Sequence, residues 1–230
     1  MNETVYQALA LIVPLVIAIV FHEVAHGYVA KLLGDPTASE RGRLTLNPIR
    51  HVDPMGTIVV PGLLALFHLP VFGWAKPVPV IAARMRKPRV GMMLSAAAGP
   101  AMNLLMALIS AVAIGLISRA FPGAEEQSAV FDFVWKNLSN FIALNVFIAL
   151  FNLLPIPPFD GSHIVEGLLP RKTAAIYGKF RQQGMLLVIL LIVVLPQLVP
   201  GFNIVGLIIE RPYVWMTSAY FQIANVVAGA

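Results

Sequence analysis

The sequence predicts an all-α polytopic membrane protein with about four to six transmembrane helices and a small re-entrant or β-hairpin segment. Three observations predict it. Of 230 residues, 58% are hydrophobic and 12% are charged, and the mean hydropathy is +0.81. A soluble domain is roughly 45–50% apolar and about 25% charged, so the charge needed to cover a soluble surface is missing. Uncharged apolar runs of membrane-crossing length recur along the chain. The basic residues cluster between those runs. A soluble enzyme and a nucleic-acid-binding module are thereby excluded. Cysteine is absent, which leaves histidine and carboxylate as donors for any metal.

A crossing helix needs about 20 mostly apolar residues. Residues 4–21 carry no charge, and the apolar pattern runs on to Leu33. Gly34-Asp35-Pro36 ends that helix, because glycine suits a C-terminal cap and proline cannot continue a helix. No basic leader or small-residue cleavage site precedes the run, so it reads as a span rather than a cleaved signal peptide. Residues 55–75 are also uncharged, but Pro61, Gly62 and Pro70 interrupt them. Residues 92–118 form a second span, rich in the small residues that let membrane helices pack closely. Residues 130–154 form a third, and 185–199 a short fourth. The tail 202–230 is broken by Glu210-Arg211-Pro212 and is expected along the interface. The chain reads as one membrane-embedded domain over 1–230, with a core over 4–165 and C-terminal helices over 166–230.

Thirteen of the 16 Lys and Arg residues fall in three loops, after the first span, before the second and before the fourth. The loop after the second holds Glu125, Glu126 and Asp132 with only Arg119. Basic loops stay cytoplasmic. The N-terminus is therefore expected outside, with spans alternating from there. Basic loops flank 55–75 on both sides, so it is expected to return to the face it left.

Inside the first span stands His22-Glu23-Val24-Ala25-His26. Positions i and i+4 share a helix face, so both imidazoles can reach one ion. Glu23 stands next to them, placed to take a proton from water that such an ion activates. Ionisable groups inside a membrane helix are costly and mark function. The alternative, two structural histidines bonding neighbouring helices, gives Glu23 no role.

A catalytic zinc takes three protein ligands and keeps one position open. Candidates for the third are His51, His68, His163, Asp160 and other carboxylates. Residues 152–161, Asn-Leu-Leu-Pro-Ile-Pro-Pro-Phe-Asp-Gly, single out Asp160. Prolines 155, 157 and 158 must end the third span, and irregular backbone at membrane depth is tolerated only where it is buried or lines a wet cavity. His26 and Asp160 then lie near the same ends of their spans. Asp160 could also cap a helix starting at Gly161.

His22, Glu23 and His26, followed by Asn152, Pro155, Asp160 and Gly161, resemble the site-2 protease family of intramembrane zinc metalloproteases. Phe159 stands where that family more often has leucine. Asn47-Pro48, His51, Asp53-Pro54, Gly56-Thr57 and Gly99-Pro100 with Asn103 look like its compact bacterial members. The resemblance runs from about residue 15 to 165 and leaves out the C-terminal third. It implies one Zn²⁺ per chain, held by His22, His26 and Asp160, with Glu23 as base. It also implies a transmembrane protein or peptide as substrate, in the lipid bilayer of a bacterial inner membrane. The loop charges put the active site toward the cytoplasm.

Peptide hydrolysis also needs a preorganised donor for the oxyanion. Asn152 is the first candidate for that role or for holding substrate backbone, and Asn103 the second. Interhelical hydrogen bonding is the alternative for each. Residues 72–81 contain Pro77 and Pro79 and read as an extended edge strand or hairpin. Val78, Pro79, Val80 and Ile81 could then clamp an unwound substrate by strand addition, or serve as a plain connector. His51 and Asp53 could orient a ligand or form a turn, and His163 could face the metal. An ion transporter would spread its ionisable groups across the membrane and carry inverted repeats. Here they gather at one depth, and no repeat is found.

Overall fold

The computed structural model describes residues 3–69, 73–123, 128–199 and 203–229. Pro70, Phe72, Glu125 and Glu126, which enter the expectations above, lie outside them. The longer elements are α1 (Glu3–Leu32), α2 (Pro54–Leu66), α3 (Pro88–Ala120), α4 (Ala129–Asn152), α5 (Asp160–Leu168), α6 (Arg171–Lys179), α7 (Gly184–Leu198) and α8 (Ile204–Ala228). No strand occurs among the described residues.

Among these residues, α1, α3 and α4 are long and apolar enough to cross a membrane. The pair α6–α7, bent by 67°, makes a fourth if it counts as one span. That is the lower end of the expected range. Gly34 follows α1 with φ of +113°, a left-handed conformation that glycine adopts without a Cβ penalty. The segment α2 is 13 residues long, well short of the roughly 20 a crossing needs. Its flanks meet again. Trp74 N–H donates to Gly56 O at 3.0 Å and Lys76 N–H to His51 O at 2.9 Å. The two flanks of the segment thus lie side by side.

Helix α3 is central, packed against α1, α4, α5 and α8. Ala107, Ala111 and Ile114 of α3 are buried with Ile142 and Val146 of α4 and Ala224 of α8. Lipid tails are as apolar as leucine, so close packing rather than the hydrophobic effect joins such helices. Gly115 shows the consequence, since a Cβ there would collide with the Ala224 carbonyl and Val227.

Contacts fix the directions. Tyr6 donates to Asp132, Asn140 to Ala10 O at 2.8 Å and Asn103 to Ala18 O at 3.2 Å. So α1 runs parallel to α4 and antiparallel to α3. The expected break in the tail is corrected: α8 is one continuous helix packed along α3 and α4. Tyr220 donates to Leu104 O at 3.0 Å, Val227 packs at Gly115, and Tyr213 packs edge-on against Phe147. Helix α8 is therefore parallel to α3. Pro212 removes one helix bond, which neighbouring helices can compensate in a membrane, while Glu210 and Arg211 are exposed.

Candidate active site

Two turns of α1 present His22 and His26 on one face, 5% and 9% exposed. The turn after α4 brings the third group. Helix α4 ends at Asn152, and a proline-rich turn with a cis Pro157–Pro158 bond leads to Asp160, the first residue of α5. Asp160 thus starts the helix, and Phe159 occupies the N-cap position. Gly161 lets this corner close, because a Cβ there would collide with the Leu153 and Leu154 carbonyls.

Three ligand atoms converge. His22 Nε2 lies 3.2 Å and His26 Nε2 3.3 Å from Asp160 Oδ2, and the two nitrogens are 3.0 Å apart. The outer nitrogens are engaged. His26 Nδ1 stands 2.7 Å from Ser95 O, an obligate acceptor, so Nδ1 carries the proton. His22 Nδ1 stands 2.6 Å from Asn103 Oδ1. The Asn103 amide is oriented by its other end, which donates to Ala18 O and Asn145 Oδ1, so His22 Nδ1 is also the donor. With Nδ1 protonated, each neutral imidazole turns the lone pair of Nε2 toward the carboxylate oxygen. A cation among the three atoms would satisfy all of them. Bonds of about 2.0–2.1 Å in a tetrahedron put neighbouring ligand atoms about 3.3 Å apart, close to the spacing found. The residues fit a zinc ion with three protein ligands and one open position.

The surroundings hold this set rigidly. Ser95 Oγ donates back to His26 O at 3.0 Å, so α3 grips His26 from both sides. A Cβ at Gly99 would collide with both imidazoles, and glycine there lets α3 approach the rings. Glu23 accepts from the Val78 backbone N–H at 2.8 Å.

The other expected residues fall differently. Asn103 is fully buried, and both its donors are committed. Its expectation as oxyanion donor is corrected, since it has no N–H left for a substrate. Asn152 is partly exposed at the end of α4, with one N–H donated to Ile148 O at 3.0 Å. The expected edge strand at 72–81 does not form in its described part. Pro77 and Pro79 lack ladder donors, and the Val78 and Ile81 N–H groups go to the Glu23 and Asp35 carboxylates. His51 is buried and bonded to Thr45 O at 2.9 Å, and Asp53 caps α2 through Gly56 N–H at 2.7 Å. Both serve turns. His163 accepts from Arg181 at 3.2 Å and stands outside the metal-ligand group.

A second polar cluster carries little signal in the sequence. Asp35 is fully buried and accepts from Thr37 N–H at 3.0 Å and Ile81 N–H at 2.5 Å. Arg84 bonds Thr37 at 2.8 Å and pairs with Glu40 at 2.6 Å. This cluster ties the end of α1 to the segment that crosses Glu23. The one hint of it is an aspartate inside the Gly-Asp-Pro stop.

Comparison with known proteins is consistent with this geometry. The profile of peptidase family M50 matches residues 116–195, which include the Asn152–Gly161 turn. Two relatives carry the name "Putative zinc metalloprotease". YwhC of Bacillus subtilis (strain 168) is 39% identical over 197 residues, covering 84% of this chain and 86% of its own. Rip2 of Mycolicibacterium smegmatis is 32% identical over 172 residues, covering 75% of this chain and 62% of its own. No solved structure matches.

Proposed function

The chain belongs to peptidase family M50, the site-2 proteases, and from that premise we propose how its residues divide the work. It is an intramembrane zinc metalloprotease. The observation that carries the assignment of roles is the convergence of two imidazole lone pairs and one carboxylate oxygen. His22, His26 and Asp160 hold the zinc ion. When bound, zinc polarises the scissile carbonyl and makes water acidic enough to lose a proton near neutral pH.

Glu23 takes that proton and returns it to the leaving amine. Ser95 and Asn103 hold the two imidazoles so that each presents Nε2. Asn152 faces the substrate from the end of α4 and steadies its backbone or the developing oxyanion. Val78, Pro79, Val80 and Ile81 bind the unwound substrate. A substrate carbonyl competes with Glu23 for the Val78 N–H, and taking it frees the carboxylate for proton transfer.

The substrate is a transmembrane protein or peptide in the bilayer that surrounds α1, α3 and α4. The 13 basic residues of three loops support a cell-membrane enzyme with its site toward the cytoplasm and its N-terminus outside. Residues 1–230 act as one domain. Cleavage of a model transmembrane peptide by the purified chain tests the reading. Chelation is expected to abolish cleavage and one equivalent of zinc to restore it. Cleavage that survives chelation rejects it.

A further inference from the structure

We infer that Asn145 is a positioning residue, which acts through Asn103 to fix the proton on His22 and so the nitrogen His22 offers to the metal. This rests on the reading of His22 as a ligand. Asn145 lies in the middle of α4, seven residues before Asn152, and is 0% exposed. An amide buried within a membrane helix bundle is costly unless its groups are satisfied.

Two backbone carbonyls set a chain of orientations. Asn145 Nδ2 donates to Phe141 O at 2.8 Å, which turns Asn145 Oδ1 toward α3. Asn103 Nδ2 donates to that oxygen at 2.8 Å and to Ala18 O of α1 at 3.2 Å. Phe141 O and Ala18 O can only accept, so neither amide can reverse without setting acceptor against acceptor. Asn103 Oδ1 is thereby left facing His22 Nδ1 at 2.6 Å. An acceptor there keeps the proton on Nδ1 and the lone pair on Nε2, which faces Asp160 and His26. Were the Asn103 amide reversed, it would present N–H to Nδ1. The His22 proton would then move to Nε2, where a metal has to bind.

The shorter of the two bonds that orient Asn103 is the one accepted by Asn145 Oδ1. The residue thus couples α4, which leads into the Asp160 turn, to the histidine on α1. Simple helix glue would make the same contacts, but removing it would cost fold stability and leave zinc affinity alone. Outer partners of metal-bound histidines typically change affinity about 10–100-fold.

The test measures zinc affinity by chelator competition, with thermal melting of the metal-free protein alongside. Asn145→Leu is expected to weaken zinc about 10-fold or more without a matching loss of metal-free stability. Asn103→Leu should do the same, and the double variant should be no weaker than either single one. Wild-type affinity in Asn145→Leu overturns the inference, as do losses that multiply in the double variant. If the leucine variant does not fold, Asn145→Ser, too short to reach Asn103, takes its place. Weakened zinc binding in the serine variant supports the relay, and wild-type affinity overturns it. His22→Ala is the control. If it holds zinc as tightly as the wild type, the ligand assignment has failed rather than the relay.

Discussion

The Val78 backbone N–H donates to the Glu23 carboxylate at 2.8 Å, across 55 positions of sequence. Glu23 sits one residue from His22, on the helix that carries both imidazoles, and Val78 sits between two prolines. The contact therefore joins the residue read as base to the segment read as substrate clamp. Val78 is buried over Gly27, where any Cβ would press on its side chain at 2.7 Å. The segment is held against α1 by packing as well as by this bond.

Glu23→Gln keeps the size of the side chain and its bond to Val78 but removes the basic oxygen. Zinc content should stay at the wild-type level while peptide cleavage falls by at least about 10²–10⁴-fold. Cleavage at wild-type rates, measured with zinc content verified, rejects Glu23 as base.

Replacing residues 78–81 with a Gly/Ser stretch removes the ordered segment and leaves the histidines intact. Turnover of a transmembrane peptide should fall, with zinc bound as in the wild type. Unchanged turnover sinks the clamp and leaves these residues as a connector.

Gly99→Ala places a methyl group against both imidazoles. The rings or α3 must shift, and misplacement of about 1 Å at such a site can cost about 10²-fold in rate. Chelator competition should show weaker zinc binding as well. An alanine variant with full activity and affinity would falsify the close fit between α3 and the rings.

Asp35→Asn removes the carboxylate that gathers Thr37 and Ile81, at a cost of about 1–3 kcal/mol. Burial pushes the Asp35 carboxyl up, but the bonds from Thr37 and Ile81, with the Arg84 charge, outweigh it and hold the group below the usual carboxylate range. A depressed folded value means this stability is complete at neutral pH. It is lost only as pH falls below about 4 toward the depressed value. Melting curves should therefore show the wild-type advantage over Asp35→Asn shrinking only in that acid range.

The long spans were legible because helix ends are written locally. Gly34 stops α1, and Pro155 with its two successors stops α4. The triad was legible because i, i+4 spacing and a proline-broken span are themselves geometry. Asn103 shows where legibility ended. Its place after Gly99-Pro100 in a closely packed helix made it a candidate donor or an interhelical bond, and the choice depends on which neighbours take its two N–H groups, which come from α1 and α4. The tail misled for a related reason. Glu210, Arg211 and Pro212 read as a break, yet two exposed charges and one missing donor are tolerable once α3 and α4 pack against the rest of the helix.

The direction of α8 settles a matter of traffic. It starts beside Leu154 and the proline-rich turn and climbs alongside α3, away from the triad. Helix α1 begins at that remote end, where Tyr6 meets Asp132. A helix of 25 residues covers roughly 37 Å, so the end of α8 lies beside the start of α1, at the end of the bundle away from the triad. Reporters fused after residue 230 and inserted at Gly42 should accordingly respond from opposite compartments. On the proposed orientation, a signal that gates proteolysis from the site's own face would act through internal loops such as 35–53 or 73–87, and one from the other face through the ends of α1 and α8.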